Sequence, residues 1–92
     1  MIAPRGVDGP ASLAVWTLSG AYSVGTRPEW PTTEVLVEAV RTAAQVPHLR
    51  LLRVADVYVQ AGGLHRVYRV DGRSVRLLGM KRPDWAKVKA PT

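Results

Sequence analysis

The chain has 92 residues, no cysteine and a formal net charge of +6. This length corresponds to one domain, 1–92, and a hydrophobic content of 47% provides a modest core. The absence of cysteine excludes disulfide bonds and thiolate sites, and it favours the cytoplasm. No apolar run approaches the roughly 20 residues that span a bilayer, and the N-terminal residues lack the layout of a signal peptide, so no membrane partner is expected.

The positive charge is concentrated in the second half of the chain. Residues 1–46 carry three Arg against four acidic residues, which gives −1, whereas residues 47–92 carry ten Lys or Arg against three Asp, which gives +7. A segment this basic attracts polyanions over a Debye length. Nucleic acid or an acidic protein surface is therefore the expected partner. The alternative explanation of this charge is a general enrichment of the protein in arginine, without any role in binding.

The N-terminal third predicts an irregular arm followed by strands. Residues 1–11 contain two Pro and two Gly, which is typical of an irregular arm. Residues 13–18 alternate, and Ser19-Gly20 can turn the chain into residues 21–24, so a strand or short hairpin is expected. Both faces of this strand have apolar members, which indicates that both are covered.

The middle of the chain predicts a connector and one helix. Pro28 and Pro31 forbid a regular strand ladder across residues 25–31. Trp30 is expected to be a hydrophobic plug on the helix start, with an exposed binding aromatic as the alternative. Residues 32–45 begin with two threonines that can cap a helix. They also carry an amphipathic stripe of Leu36, Ala39, Val40 and Ala43.

The second half predicts three antiparallel strands. Residues 49–61 form the first strand, Gly62-Gly63 the first turn and Asp71-Gly72 the second turn. This register places Val75 beside Tyr68. The face for the helix then consists of Ala55, Val57, Val59, Leu64, Tyr68, Val70, Val75 and Leu77, with Arg66 at a sheet end. The opposite face consists of Tyr58, Gln60, His65, Val67, Arg69, Ser74, Arg76 and Leu78.

These elements predict an α+β fold, an antiparallel sheet of four to five strands with one helix packed on one face. A basic C-terminal tail, 81–92, completes the domain. On the sheet face away from the helix, Asp56 lies across from Arg69, and Arg76 is a diagonal neighbour of Arg69. This face and the tail predict a binding surface for nucleic acid or a protein partner, formed by Tyr58, His65, Arg69, Arg76, Lys81, Arg82, Trp85 and Lys87. The alternatives are an ordinary solvated face, a face that the N-terminal hairpin partly covers, and a Trp85 that folds back on the core.

Motifs for catalysis, metals and cofactors are sparse. His48 and His65 are far apart in sequence, and no metal-ligand spacing, nucleophile elbow, P-loop or dinucleotide fingerprint is present. No cofactor is therefore expected, and a catalytic role is less favoured than a binding role. Metal-free cleavage of RNA needs a base, an acid and positive charge at the phosphorus. The candidate residues for that chemistry are His65, Arg69, Arg76 and Lys81.

The run YRVDGRSVRLLGMKRPDW resembles the last hairpin of the RelE/ParE toxin superfamily. The matching positions are Tyr68, Arg69, Val70, Asp71, Gly72, Val75, Leu77, Arg82, Asp84 and Trp85. The resemblance implies a ribosome-dependent mRNA nuclease or a gyrase poison that an antitoxin holds inactive. It places the arginine and lysine roles of the family on Arg69, Arg76 and Lys81. The long helical hairpin that follows the first strand in this family has no counterpart in the sequence.

Three functions follow, in order of preference. The first is a small, basic, non-enzymatic binding protein that contacts nucleic acid or an acidic partner through an Arg-rich strand face and a basic tail. The second is a RelE/ParE-like mRNA nuclease. The third is a structural or assembly subunit of a phage particle or other large complex, which includes a homo-oligomer.

Overall fold

A computed structural model describes residues 9–17, 20–44, 54–79 and 88–89. In chain order its elements are β1 (Ala11–Thr17), β2 (Gly20–Arg27), α1 (Thr33–Ala44), β3 (Ala55–Ala61), β4 (Leu64–Asp71), β5 (Ser74–Gly79) and β6 (Val88–Lys89). The strands form one sheet in the order β5-β4-β3-β1-β2-β6. Strands β1 to β5 pair antiparallel, and the two-residue β6 joins β2 in parallel. The expected α+β fold is confirmed, with β6 added at one edge.

The first hairpin is longer at both ends than the sequence pattern predicts. Strand β1 begins at Ala11, which is buried. The last residue of the predicted arm, 1–11, is therefore part of the sheet. The other arm residues, 1–8, lie outside the described ranges. Strand β2 continues to Arg27, three residues into the predicted connector. The physical reason is that Pro28 is the first residue there that lacks a backbone N–H, so the ladder can continue up to it.

Helix α1 begins as its threonines predict. The Thr32 side-chain oxygen accepts a hydrogen bond from the backbone N–H of Val35 at 3.3 Å, which is an N-cap. The stripe residues Leu36, Ala39 and Val40 are buried, and Ala43 packs against the core from a partly buried position. The helix ends at Ala44, and the predicted stop at Pro47 lies outside the described residues. A helix of 12 residues is marginal alone, so the sheet stabilises it.

Trp30 is the plug that the sequence predicts. It is 6% exposed and belongs to the core between the helix and the sheet. Its indole Nε1 donates a hydrogen bond to the Tyr68 hydroxyl at 3.2 Å. This bond satisfies the one polar atom of the buried indole and ties the connector to β4.

One helix does not cover the whole sheet. Helix α1 contacts each of the strands β1 to β5, and on β5 the residue that packs against the core is the partly buried Val75. Val57 and Val15 on the central strands are fully buried. Leu77 on β5 was predicted to be core, but it is 55% exposed. That prediction is wrong because β5 is the edge strand, so within the described residues Leu77 has a neighbouring strand on one side only.

The register between β3 and β4 is confirmed. Ala61 pairs with Leu64, and Val57 pairs with Tyr68, as the Gly62-Gly63 turn predicts. Strand β3 begins at Ala55, and the predicted start of this strand, 49–53, lies outside the described residues.

The register between β4 and β5 differs from the prediction by two residues. The turn is formed by Gly72 and Arg73, so Asp71 is the last residue of β4 and pairs with Ser74. Tyr68 therefore pairs with Leu77 and not with Val75. Gly72 takes the first turn position with a φ of 61°. Glycine suits this conformation because it has no Cβ, and a type II′ turn places glycine there. A shift of two residues leaves the faces of the strand unchanged.

No helix in the described part of the chain has the length and apolar character needed to cross a membrane.

Replacement of Leu36 by Ala is expected to lower the free energy of unfolding by about 2–5 kcal/mol, because the side chain is fully buried and its loss leaves a cavity. Leu77→Ala is the matched control, since it removes the same atoms from an exposed position and should cost about 1 kcal/mol or less. Urea titration followed by circular dichroism measures both. Equal losses would contradict the position of the core described above.

Replacement of Gly72 by Ala is expected to lower the free energy of unfolding by about 1–2 kcal/mol, because a Cβ is strained in the left-handed region. No atom lies within 4 Å of the added Cβ, so the cost comes from the backbone alone. Gly63→Ala is the control, because its added Cβ is equally unobstructed and its φ lies outside the left-handed region. A Gly63 variant that is destabilised as much as the Gly72 variant would contradict this turn geometry.

Candidate functional site

The sheet face away from α1, here called the second face, carries the candidate site. Cross-strand partners share a face, so the register assigns each residue to one side of the sheet. On strands β3 to β5 the second face consists of Asp56, Tyr58, Gln60, His65, Val67, Arg69, Asp71, Ser74 and Arg76.

The second face is buried at the middle of the sheet and exposed toward β5. Ala14 on β1 is fully buried, and Tyr58 on β3 is 1% exposed. The expected cover on both sides of β1 is therefore confirmed for Ala14. The ring of Tyr58 is not available to a partner, which corrects its expected place on an exposed surface. Arg69 is half-buried and Arg76 is exposed, so the accessible part of the second face is on β4 and β5.

A row of three charges crosses the accessible part. Asp56 on β3 pairs directly with Arg69 on β4, as the sequence predicts. Arg69 pairs directly with Arg76 on β5, so the two arginines are direct partners and not the diagonal neighbours that were expected. The reason is the two-residue shift that the Gly72-Arg73 turn imposes. Side chains in such direct pairs have Cβ atoms about 4.5–5.5 Å apart.

Asp56 neutralises only one of the two arginines. The Nε and Nη2 atoms of Arg69 donate to the two carboxylate oxygens of Asp56 at 2.9 and 3.3 Å. This two-point bond and the attraction of the carboxylate raise the pKa of Arg69 above its ordinary value, so Arg69 stays charged at neutral pH. Within the described residues, Arg76 makes no ion pair. Asp71 lies on the same face at the turn and is exposed.

His65 forms a separate pair with Tyr58. The Tyr58 hydroxyl and the His65 Nδ1 atom are hydrogen-bonded, and their rings stack with centroids 5.7 Å apart. His65 precedes Arg69 by four residues on the same strand, which is a distance of about 13 Å. The expected group of His65, Arg69 and Arg76 is therefore divided into an aromatic pair and an arginine pair.

Four candidates lie outside the described residues, namely Lys81, Arg82, Trp85 and Lys87. Sequence reasoning missed Trp16 on β1, which pairs with Asp56 on β3 and adds an uncharged aromatic residue to the row on a fourth strand. It also missed that Arg76 lies directly opposite Arg69 on the neighbouring strand. The signal that could have found that position is the preference of glycine for the first position of a two-residue turn.

Among the described residues, no group of three or more His, Asp or Glu side chains is placed to hold a metal ion.

Comparisons of this chain with protein-family models, with curated proteins and with solved structures find no match.

Replacement of Asp56 by Asn is expected to lower the free energy of unfolding by up to about 1 kcal/mol at low salt, the usual range for an exposed ion pair. The same change leaves Arg69 and Arg76 opposite one another without a carboxylate, so added salt should reduce the loss by screening their repulsion. Urea titrations at low and high ionic strength measure this. A loss that does not change with salt would contradict the electrostatic role of Asp56.

Proposed function

We propose that this protein is a small, non-enzymatic binding protein that holds nucleic acid by its phosphate groups through Arg69 and Arg76. The observation that supports this proposal is the direct cross-strand pairing of these two arginines on the accessible part of the second face. The location that fits such a partner is the cytoplasm.

The pairing of Arg69 with Arg76 brings two like charges together, and Asp56 offsets this repulsion only at Arg69. Like charges directly opposite on a sheet are destabilising, by an amount comparable to the roughly 0.2–1 kcal/mol of a favourable pair. A phosphate between the two guanidinium groups converts this repulsion into charge-assisted hydrogen bonds. Arginine suits this contact because its planar fork matches two oxygens of one phosphate.

The charge around the pair also favours an anion. The β4–β5 hairpin, 64–79, carries four arginines against a single acidic residue, Asp71, which gives it a charge of +3. Arg73 is exposed at the turn, where it lines a groove with Glu34 and Glu38 on the helix side, so Arg69 and Arg76 are the arginines of this hairpin on the second face. Such a surface speeds the encounter with polyanions and binds them without reading their sequence.

The separation of His65 from the arginine pair favours binding over RNA cleavage. A general base must lie within hydrogen-bond reach of the hydroxyl that attacks the phosphate. His65 is about 13 Å from Arg69 along the strand and already pairs with Tyr58. The RelE/ParE-like nuclease and the assembly subunit stay predictions from the sequence.

The proposal predicts a steep loss of affinity with salt. Fluorescence anisotropy of labelled 20-nucleotide single strands and duplexes, at several salt concentrations, measures the slope. Each lost phosphate contact should reduce the slope of log K against log salt by about 0.7 for single strands or about 0.9 for duplexes. Arg76→Gln and Arg69→Gln should each show this reduction.

Arg41→Gln is the matched control, because it removes the same charge from the exposed side of α1, where Arg41 pairs with Glu38. It should leave the slope unchanged. A flat salt response of the unmodified protein, or an equal effect of the Arg41 variant, would overturn the proposal. Poly-glutamate that binds as tightly as DNA through the same two arginines would point instead to an acidic protein partner.

A further inference from the structure

The outer side of β5 is an open strand edge. Strand β5 is the first in the sheet order, and in the described part of the chain only β4 pairs with it. An edge strand presents a row of backbone N–H and C=O groups that another extended chain can pair with. Proline, which blocks such pairing, does not occur between Ser74 and Gly79.

The β5 edge is also unusually apolar. Leu77 is 55% exposed and Leu78 is 42% exposed, and they are two of the three large hydrophobic residues that are exposed in the described ranges. Leu77 lies on the helix side of the sheet, because its partner Tyr68 belongs to the core. Val75, next to it on the same side, is only partly buried.

Leu78 is the additional residue of a bulge, since Tyr68 pairs with Leu77 and Val67 pairs with Gly79. Because of this bulge, the alternation of side chains along the strand does not assign Leu78 to either face of the sheet. The predicted position of Leu78 on the face away from the helix therefore does not follow from the pairing.

The two sides of the β5 edge differ in charge. On the second face, Arg76 is exposed and makes no ion pair within the described residues. On the helix side, Glu34 and Glu38 line a groove of about 320 Å³ together with Arg73. An added strand with acidic residues on the second face would meet Arg76, whereas acidic residues on the helix side would face the two glutamates. The edge therefore selects acidic side chains on one face and apolar side chains beside Val75 and Leu77 on the other.

From these features we propose that the outer edge of β5 binds an extended segment of a partner protein, in which acidic and apolar residues alternate, by adding it to the sheet as a strand. The backbone groups supply main-chain hydrogen bonds, and alternate side chains supply the specificity. A segment with the pattern apolar-acidic-apolar matches Val75, Arg76 and Leu77 in turn.

A second copy of this chain fits the β5 edge less well. In a two-fold arrangement centred on Arg76, the two arginines oppose one another, and like charges directly opposite are destabilising. In an arrangement centred on Leu77, Arg76 meets Leu78 of the bulge and finds no carboxylate. Both copies also carry a net charge of +6, which adds repulsion over a Debye length.

A labelled octapeptide of alternating Glu and Val tests the proposal by fluorescence anisotropy in the absence of nucleic acid. It should bind more tightly than a peptide of the same composition with four Glu followed by four Val. Arg76→Gln should weaken binding about fivefold, the loss of one exposed ion pair. Leu77→Ser should weaken it about tenfold, because less apolar surface is buried. Arg41→Gln, which removes a charge from α1, should leave the affinity unchanged.

Two modified peptides test strand addition without any change to the protein. One is N-methylated on the amides of the four Glu residues, and the other on the amides of the four Val residues. Because only alternate amides of an added strand face β5, one peptide should lose binding and the other should retain it. Equal affinities, or equal binding of the alternating and block peptides, would overturn the proposal. Sedimentation that shows a dimer dissociated by Leu77→Ser would overturn it in favour of a second copy.

Discussion

A single helix covers one face of this sheet, and residues of the edge strand β5 stay open to water where no further strand lies beside them. The central strands contribute Val15 and Val57 to the core, and the helix contributes Leu36, and all three are fully excluded from water. The edge strand β5 keeps apolar residues that are largely open to water, of which Leu77 is the clearest. The buried centre and the open β5 edge therefore both follow from the order of the strands in the sheet.

The second constraint is the position of one glycine. Gly72 occupies the first position of the β4–β5 turn, and the pairings from Asp71–Ser74 to Tyr68–Leu77 follow from it. With the turn in this place, Arg69 stands between Asp56 and Arg76 in one row across three strands. A carboxylate and an arginine thus compete for Arg69 from opposite sides, and only the carboxylate gains from the contact. The charge of Arg76 is left facing solvent, which is where a partner can use it.

Phosphate binding and strand addition use different parts of the β4–β5 hairpin. Phosphate contact uses the guanidinium groups of Arg69 and Arg76 on the second face. Strand addition uses the backbone edge of β5 and the apolar side chain of Leu77 on the helix side. Arg76 belongs to both surfaces, so an acidic segment seated on β5 would compete with a phosphate group for the same charge.

Much of the fold was predictable, because the elements are specified locally. The threonine cap and apolar stripe of α1, the Gly62-Gly63 turn and the β3–β4 register all follow from short patterns, and the structure confirms them. The site was less predictable. Arg69 and Asp56 were placed correctly, whereas the partner of Arg76 depended on a turn that two adjacent residue pairs could have formed. Burial depended on long-range packing, so Tyr58 was wrongly expected to be exposed and Leu77 to be buried.

By itself, the sequence determined the fold class, the faces of the strands and the position of the helix, because periodicity and turn chemistry act over a few residues. Only the tertiary structure decided which residues of those faces meet water. That outcome depends on the order of strands in the sheet and on where the helix packs on them, and neither is encoded in a local pattern. The tertiary structure also decided that Arg69 and Arg76 lie directly opposite one another, because this position depends on how β4 pairs with β5.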